Sequence, residues 1–476
     1  MQPDIAASAL IRRLWILYAL GAVAFIPAIG FRFVGEEAIF PLVSLEMWFY
    51  EEWIRQLLFG HDLQHNPLFN WIIIGICHVV GWEHMLPVVR VVTIGATLSS
   101  GLVLAWLVRR VTGDTVFAAF VALVFLMLAD PVLYRGWLSY VDPLFGLLTF
   151  SSVALLWVAC HERRLLLLGF AVLALTAAFL AKAFTAYVFY GTAALVLLAW
   201  DREFRRFLLS PGSIAIHAAG TVALALWVGV IPATQGQGTR MFKEILDKLA
   251  PEAMSAYLAK LIMYPLETVV RLAPASLLAG YCYYRYRDHL KPLGSTFRIA
   301  LLIAVLSYLP YWLAPQSHTR YLVPIYPLAA LVLAHLIWSA RPGSITLTVR
   351  WFYGLLVLKL ILFIGVFPYY QKVYRGENYE QTAQLILGRA AGHPLYTKNV
   401  SASGLNVKAY IDIKRLPQQP LAFPPAQWDS GFVITYEPDP SIGQLAERYR
   451  LAGNDLYLLC RGAACAATPP ADGGRK

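Results

Sequence analysis

The sequence predicts an α-helical polytopic membrane protein of about eleven transmembrane helices, followed by a small exported α/β domain at its C-terminus. Three observations carry this prediction. Hydrophobic residues make up 59% of the 476 and charged residues only 14%, against about 25% charged in a soluble domain. The mean hydropathy is +0.59, and the charge deficit runs along most of the chain, so it does not come from one buried hairpin. From residue 371 onward the apolar runs stop and shorter, mixed segments take over.

The net charge of +11 would suggest nucleic acid in a soluble protein. In a membrane protein the Arg excess reads as topogenic, lying in short cytoplasmic loops, and no nucleic-acid partner is expected. Arg12 and Arg13 precede an apolar stretch over 14–29 with no small-residue cleavage site and no polar segment after it. This reads as a retained first span rather than a signal peptide.

A span needs about 20 mostly apolar residues. On that basis spans run near 11–30, 86–108, 115–131, 140–160, 165–181, 183–200, 213–232, 262–283, 296–313, 321–340 and 351–370. The pair around Lys182 can also be read as one long helix. With the N-terminus inside, the inner loops carry Arg12 and Arg13, Arg109 and Arg110, Arg163 and Arg164, Arg202, Arg205 and Arg206, Arg285, Arg287 and Lys291, and Arg341 and Arg350. Every inner loop is basic, as the positive-inside rule requires. An odd number of spans puts the C-terminus outside, so the chain reads as a multi-pass protein of the cytoplasmic membrane. The transmembrane domain is 1–370, including an outer loop at 31–85, and the exported domain is 371–476.

A second outer segment, 233–261, is expected to hold a short interfacial helix over 241–249. In the exported domain 379–391 reads as an amphipathic helix. HPLYTKN, NVKAYIDI, GFVITYEP and DLYLLC read as strands, and SIGQLAERYR as a helix between the last two. Such alternation suggests a small α/β domain. PQQPLAFPPAQ reads as a loop and the terminal TPPADGGRK as disordered. Five cysteines exclude a disulfide scaffold. Cys77, Cys160 and Cys282 read as small hydrophobes, whereas Cys460 and Cys465 either close a local disulfide, if exported, or stay reduced.

The residues fit for chemistry gather at the predicted outer ends. Glu36 and Glu37 follow the first span closely. Acids at a membrane boundary face water, a cavity or a partner, and either one is a general-base candidate. Later in the same loop HDLQHNPLFNW sets His61, Asp62, His65 and Asn66 before an apolar segment. His61, Asp62 and His65 resemble metal ligands, because His-x-x-x-His on a helix puts both rings on one face. Asn66-Pro67 argues against a helix there, and the metal-free reading is preferred. Lys182 sits between two apolar stretches, where an ammonium either snorkels or finds an anion. Asp142 pairs with Arg135 or Lys182, or else binds a sugar. Arg320 follows a polar SHT turn, and a guanidinium suits bidentate phosphate contact.

These motifs together resemble the polyprenyl-phosphate-sugar-dependent transferases of the GT-C superfamily, especially the protein O-mannosyltransferases and the lipid A aminoarabinose transferases. That group opens its first loop with Asp-Glu and closes it with a Lys-Pro-Pro-Leu-like stretch. Glu36-Glu37 and His65-Asn66-Pro67-Leu68 occupy those places here. VVRVVTIGATLSSGLVLAWLVRRVTG, YRGWLSYVDPLFGLLTF, FLAKAFTA and SHTRYLVPIYPLAALVLA match later segments in the same order, so the likeness covers roughly 1–340.

The resemblance implies a GT-C-like membrane domain and transfer of a sugar from a polyprenyl-phosphate donor to a lipid, glycan or protein acceptor on the outer face. It implies Glu36 as catalytic base with Glu37 as the second choice. His65, Asp142, Lys182, Arg320 and Tyr321 would hold the donor phosphate and sugar. Beyond that donor substrate no cofactor is required, and a divalent metal remains an option. The physical roles agree. Glycosyl transfer needs a carboxylate to deprotonate the acceptor as the sugar becomes cation-like, and positive groups to neutralise the departing phosphate. A transporter or flippase of a lipid-linked saccharide is the alternative. It predicts ionisable residues near the membrane midplane, and Lys359 alone fits that pattern.

Overall fold

A computed structural model describes residues 3–63, 65–231, 234, 236, 239–240, 243, 246–250, 253–289, 294–340, 343–374, 378–451 and 454–466. Lys291, Arg341, TPPADGGRK and, within the expected helix over 241–249, residues 241–242 and 244–245 lie outside the described residues.

The elements follow in order. Helix α1 is Pro3–Val23 and α2 is Ile39–Phe49. A short hairpin pairs β1, Leu57–Leu58, with β2, His61–Asp62. Then come α3 (Leu68–Val80), α4 (Met85–Thr112), α5 (Thr115–Phe125), α6 (Asp142–Glu162), α7 (Leu165–Ala181), α8 (Thr185–Trp200), α9 (Arg202–Leu208) and α10 (Pro211–Gly229). They are followed by α11 (Met254–Arg271), α12 (Ala275–Tyr286), α13 (Ser295–Leu313), α14 (Tyr326–Ala340) and α15 (Ser344–Leu360). The C-terminal part holds α16 (Tyr379–Arg389), β3 (Leu395–Thr397), α17 (Ala402–Arg415), β4 (Gly431–Thr435), β5 (Gln444–Leu451) and β6 (Asn454–Arg461).

Among the described residues seven helices are long and apolar enough to cross a membrane: Ala7–Ile29, Trp82–Thr112, Asp142–Glu162, Pro211–Gly229, Ser295–Leu313, Thr319–Ala340 and Ser344–Val373. The spans read near 115–131, 165–181 and 183–200 form shorter apolar helices, α5, α7 and α8. Lys182 breaks α7 from α8 with an irregular backbone, φ −145° and ψ −67°, so the reading of one long helix is excluded. The span read as continuous over 262–283 is corrected: it is two helices, α11 and α12, parted at Leu272–Pro274. Pro274 has no N–H to continue the helical ladder, and the neighbouring Ala273 carbonyl instead accepts from Ala129 N at 2.6 Å.

Helix starts are written locally. The Asp114 carboxylate accepts from Phe117 N at 2.9 Å and so caps α5. Ser210 caps α10 ahead of Pro211, the ring being tolerated where the N–H would have no helical partner.

The chain divides into two compact units. The first comprises Met1–Ile26, Gln64–Phe69 and Val91–Leu360, and the second Pro27–Leu63, Asn70–Arg90 and Ile361–Lys476. The first unit is a helical bundle with a core of residues such as Trp157, Phe120, Phe150 and Phe179. The second contains a four-stranded sheet of order β3-β4-β6-β5, parallel between β3 and β4 and antiparallel elsewhere.

Two readings of the C-terminal sequence are corrected. NVKAYIDI lies in α17, not in a strand. Its apolar–polar alternation imitates a strand because Asn406, Lys408 and Asp412 are buried too. Ser401 caps the helix by accepting from Gly404 N at 3.1 Å. SIGQLAERYR forms β5, not a helix. Its Ala, Glu and Arg favour helix, but pairing with the eight residues of β6 satisfies its backbone instead, with a bulge between Leu445 and Glu447. The helix expected near 379–391 and the strands in HPLYTKN, GFVITYEP and DLYLLC are present as α16, β3, β4 and β6. Cys460 and Cys465 are joined in a disulfide.

Candidate active site

In the first unit four of the expected residues meet around one ring. Asp142 opens α6 with Pro143 behind it, a position where the helix N-terminus favours a carboxylate. Lys182, at the break between α7 and α8, forms an ion pair with Asp142. Of the two cations considered for Asp142, its partner is therefore Lys182. Arg135 instead lies 3.3 Å from Asp130. The Lys182 ammonium also stands 5.4 Å above the Tyr321 ring, with Lys248 at 5.0 Å and the Arg320 guanidinium at 5.3 Å. Arg320 Nη2 donates to Tyr321 Oη at 3.4 Å. Three cations thus share one phenol, a stable arrangement when the ring face and an anion divide the positive charge.

His65 is half-buried and lies against Arg240, with Nε2 3.2 Å from the guanidinium Nη2. The adjoining Asn66 is buried and donates to Phe179 O at 2.7 Å. Phe179 is in the last turn of α7, so the end of the first loop is tied to the turn that carries Lys182. Sequence reasoning missed Arg240 and Lys248. Both lie in the outer segment 233–261, whose cations among apolar residues were the available signal.

Beside Arg320 a polar cleft of about 580 Å³ is lined by Arg135, Lys260, Glu267, Arg271 and His318. Its wall is held by charge. Arg271 contacts Asp130 at 2.5 Å and Glu267 at 2.6 Å, and Asp130 accepts from Tyr326 Oη at 2.8 Å. Lys260 donates to the Tyr311 and Trp312 carbonyls at 2.9 and 3.0 Å. Burial, reinforced by the nearby Arg320 and Arg135 charges, holds His318 below the ordinary imidazole pKa.

In the second unit the two glutamates have separate fates. Glu37 is fully buried, accepts from Val34 N at 2.7 Å and pairs with Arg90 at 2.6 Å. Arg90 also donates to the carbonyls of Ala28 and Arg32 at 3.1 and 2.7 Å. Glu36 is exposed, on a turn opened by Gly35 at φ +57°, a conformation that suits glycine.

His61 and Asp62 are exposed in β2, and α3 begins only at Leu68, so the His-x-x-x-His spacing does not fall on a helix. Among the described residues no three His, Cys, Asp or Glu side chains come close enough to hold a metal. The hairpin turn itself is strained at Phe59, φ +55°, followed by Gly60 at +74°. Glu46 compensates by accepting from Phe59 N and Gly60 N at 3.0 and 2.9 Å. Lys408 of α17 reaches Glu46 at 2.9 Å and Asp412 at 2.5 Å. Burial opposes the Lys408 charge, but the Asp412 and Glu46 carboxylates outweigh it and hold its pKa above the ordinary value.

No family model matches the chain. A protein of Pseudomonas paraeruginosa named undecaprenyl phosphate-alpha-4-amino-4-deoxy-L-arabinose arabinosyl transferase is 26% identical over 384 residues, 78% of this chain and 68% of its own. One of the same name from Pseudomonas aeruginosa is 27% identical over 386 residues, again 78% and 68%. The crystal structure of ArnT from Cupriavidus metallidurans bound to undecaprenyl phosphate aligns with a TM-score of 0.70 at 13% identity, covering 96% of this chain and 98% of that one.

The chain has the ArnT fold. The apo form of that ArnT aligns at a TM-score of 0.67, over 97% of this chain. The resemblance to polyprenyl-phosphate-sugar transferases that the motifs carry is borne out by related sequences named for that activity, and the expected fold by an ArnT-like arrangement of helices with a C-terminal sheet. None of the relatives named above is a transporter.

Proposed function

We propose that this chain is a membrane glycosyltransferase that moves a sugar from an undecaprenyl-phosphate-type donor to a lipid acceptor of the bacterial inner membrane. The observation that carries this reading is the convergence of Lys182, Lys248 and Arg320 on Tyr321, beside the Asp142–Lys182 pair. Asp142 offsets one of these three charges, and a sugar phosphate would bring further negative charge to the other two. Arg240, which donates to His65 Nε2 at 3.2 Å, adds a further guanidinium for the same group, with His65 orienting it.

The reaction is a displacement. An acceptor hydroxyl oxygen attacks the anomeric carbon and forms the new glycosidic bond. The bond from that carbon to the phosphate oxygen breaks, and its electron pair leaves with the polyprenyl phosphate. The cations stabilise the charge that develops there. Glu36 takes the acceptor proton. Its exposed carboxylate is available for that task, whereas that of Glu37 is committed to Arg90 and Val34 N. Asp142 keeps Lys182 in place and faces the sugar. No step in this reading uses a metal.

We assign the chemistry to residues 1–370, with the first outer loop, and 371–476 to an exported domain that packs with that loop. The basic inner loops support a cytoplasmic N-terminus. The Cys460–Cys465 disulfide supports an oxidising compartment for the C-terminal domain. The test is incubation of purified protein with a panel of radiolabelled polyprenyl-phosphate sugars and membrane lipids. Label should pass to lipid with wild type and not with Glu36→Gln. If no donor is bound or consumed, the enzyme reading is lost.

A further inference from the structure

We infer that Asn406, on α17 of the C-terminal part, is a positioning residue for the Glu36 carboxylate. The inference rests on Glu36 being the base. Asn406 Nδ2 donates to the Gly35 carbonyl at 3.0 Å, one residue before Glu36. Gly35 adopts φ +57°, and a glycine at the head of an exposed turn has wide conformational freedom. The peptide between Gly35 and Glu36 sets the direction in which the Glu36 side chain leaves the backbone. A donor fixed on that carbonyl therefore fixes the carboxylate.

Two further contacts from α17 bracket the same turn. The Tyr410 ring packs edge-on against Phe33 at 5.4 Å, before it. Lys408 holds Glu46, on the helix that follows it, at 2.9 Å. A turn held at both ends and in the middle by one helix is pre-organised for a reaction that needs close alignment.

The chemistry of Asn406 points away from a purely structural role. The side chain is fully buried, and its Oδ1 has no hydrogen-bond partner among the described residues. An apolar side chain of about the same size loses one hydrogen bond but also removes the buried, unsatisfied Oδ1, so its net cost to folding is small provided that the Gly35 carbonyl finds another donor. Gly35 is exposed, so its carbonyl can turn to water when the donor is removed. The contact therefore matters for where Glu36 points rather than for whether the domain folds.

The test is steady-state transfer by Asn406→Leu in the full-length protein, beside wild type and Glu36→Gln. We expect kcat to fall about 10- to 100-fold, the cost of a misplacement of about 1 Å. KM for the donor and the melting temperature should stay at wild-type values, and Asn406→Gln, which keeps a donor, should regain part of the rate. Should Asn406→Leu melt early, Asn406→Ser, which is too short to reach Gly35, decides by the same split between kcat and KM. Wild-type turnover in the folded variant, or a loss confined to KM, overturns the inference while leaving Glu36→Gln inactive. Full activity of Glu36→Gln would instead overturn the parent reading.

Discussion

Glu37 and Arg90 form a fully buried ion pair, with Arg90 Nη2 2.6 Å from Glu37 Oε2. The neighbouring Glu36 is exposed. One acid of an adjacent pair is thus an anchor, and the other faces outward.

The two acids should separate in a single experiment. Glu37→Gln leaves a guanidinium buried without its counter-charge, which costs roughly 3–5 kcal/mol. Its melting temperature should drop clearly below that of wild type. Glu36→Gln should melt like wild type and lose about 10²–10⁴-fold in kcat, the range for removing a general base. Thermal melts in detergent together with transfer rates check both. The reverse pattern would exchange the two roles.

Lys182→Ala should weaken donor binding by at least about tenfold, equivalent to 1.4 kcal/mol, and more than Lys248→Ala, because it also leaves Asp142 buried and unpaired. His65→Ala and Arg240→Ala act on neighbouring nitrogens 3.2 Å apart. Their double variant should lose less than the sum of the single losses, as contacting residues do. Binding titrations with undecaprenyl phosphate measure all of these, and strict additivity would place the two residues in separate sites.

Acid should destabilise the protein partly through His318. Its pKa is held low in the folded protein, whereas the unfolded chain takes up the proton at the ordinary value of about 6.5. Between the two values the unfolded state binds more protons, so stability rises with pH there. It is lost as pH falls through and below about 6.5. His318→Gln should flatten the fall in melting temperature between about pH 7 and 5. An unchanged slope would remove His318 from the account.

The C-terminal domain should be reached from outside. Lys398 is exposed, and Cys77, Cys160 and Cys282 are buried, so Lys398→Cys gives a clean label site. A membrane-impermeant maleimide should modify it in cells whose outer membrane is permeabilised. Labelling only after the inner membrane is broken would reverse the orientation.

Much of the membrane architecture is legible because apolar length and loop charge are local properties. Helices α4, α6, α10 and α13 lie where hydropathy puts them, and the caps at Asp114 and Ser210 are written in adjacent residues. The break at Pro274 was equally local, since proline cannot donate, yet the apolar run across it concealed the interruption. NVKAYIDI misled for a different reason. Its polar residues alternate like the outer face of a strand, but they are buried and partnered: Asn406 with the Gly35 carbonyl, Lys408 with Glu46 and Asp412.

By itself the sequence determined that this is a multi-span protein with a mixed C-terminal domain, and it singled out Asp142, Lys182, Arg320 and Tyr321, which the structure brings close together. Which glutamate is buried, which cation Asp142 holds, and that Arg240 meets His65 were decided only by tertiary structure. The physical reason is distance along the chain. A hydropathic run or a cap is read from residues a few places apart, whereas the pairs Glu37–Arg90, Asp142–Lys182 and His65–Arg240 span 53, 40 and 175 positions. Such pairs form only when packing brings separate segments together, and without that packing nothing distinguishes a buried glutamate from the exposed one beside it.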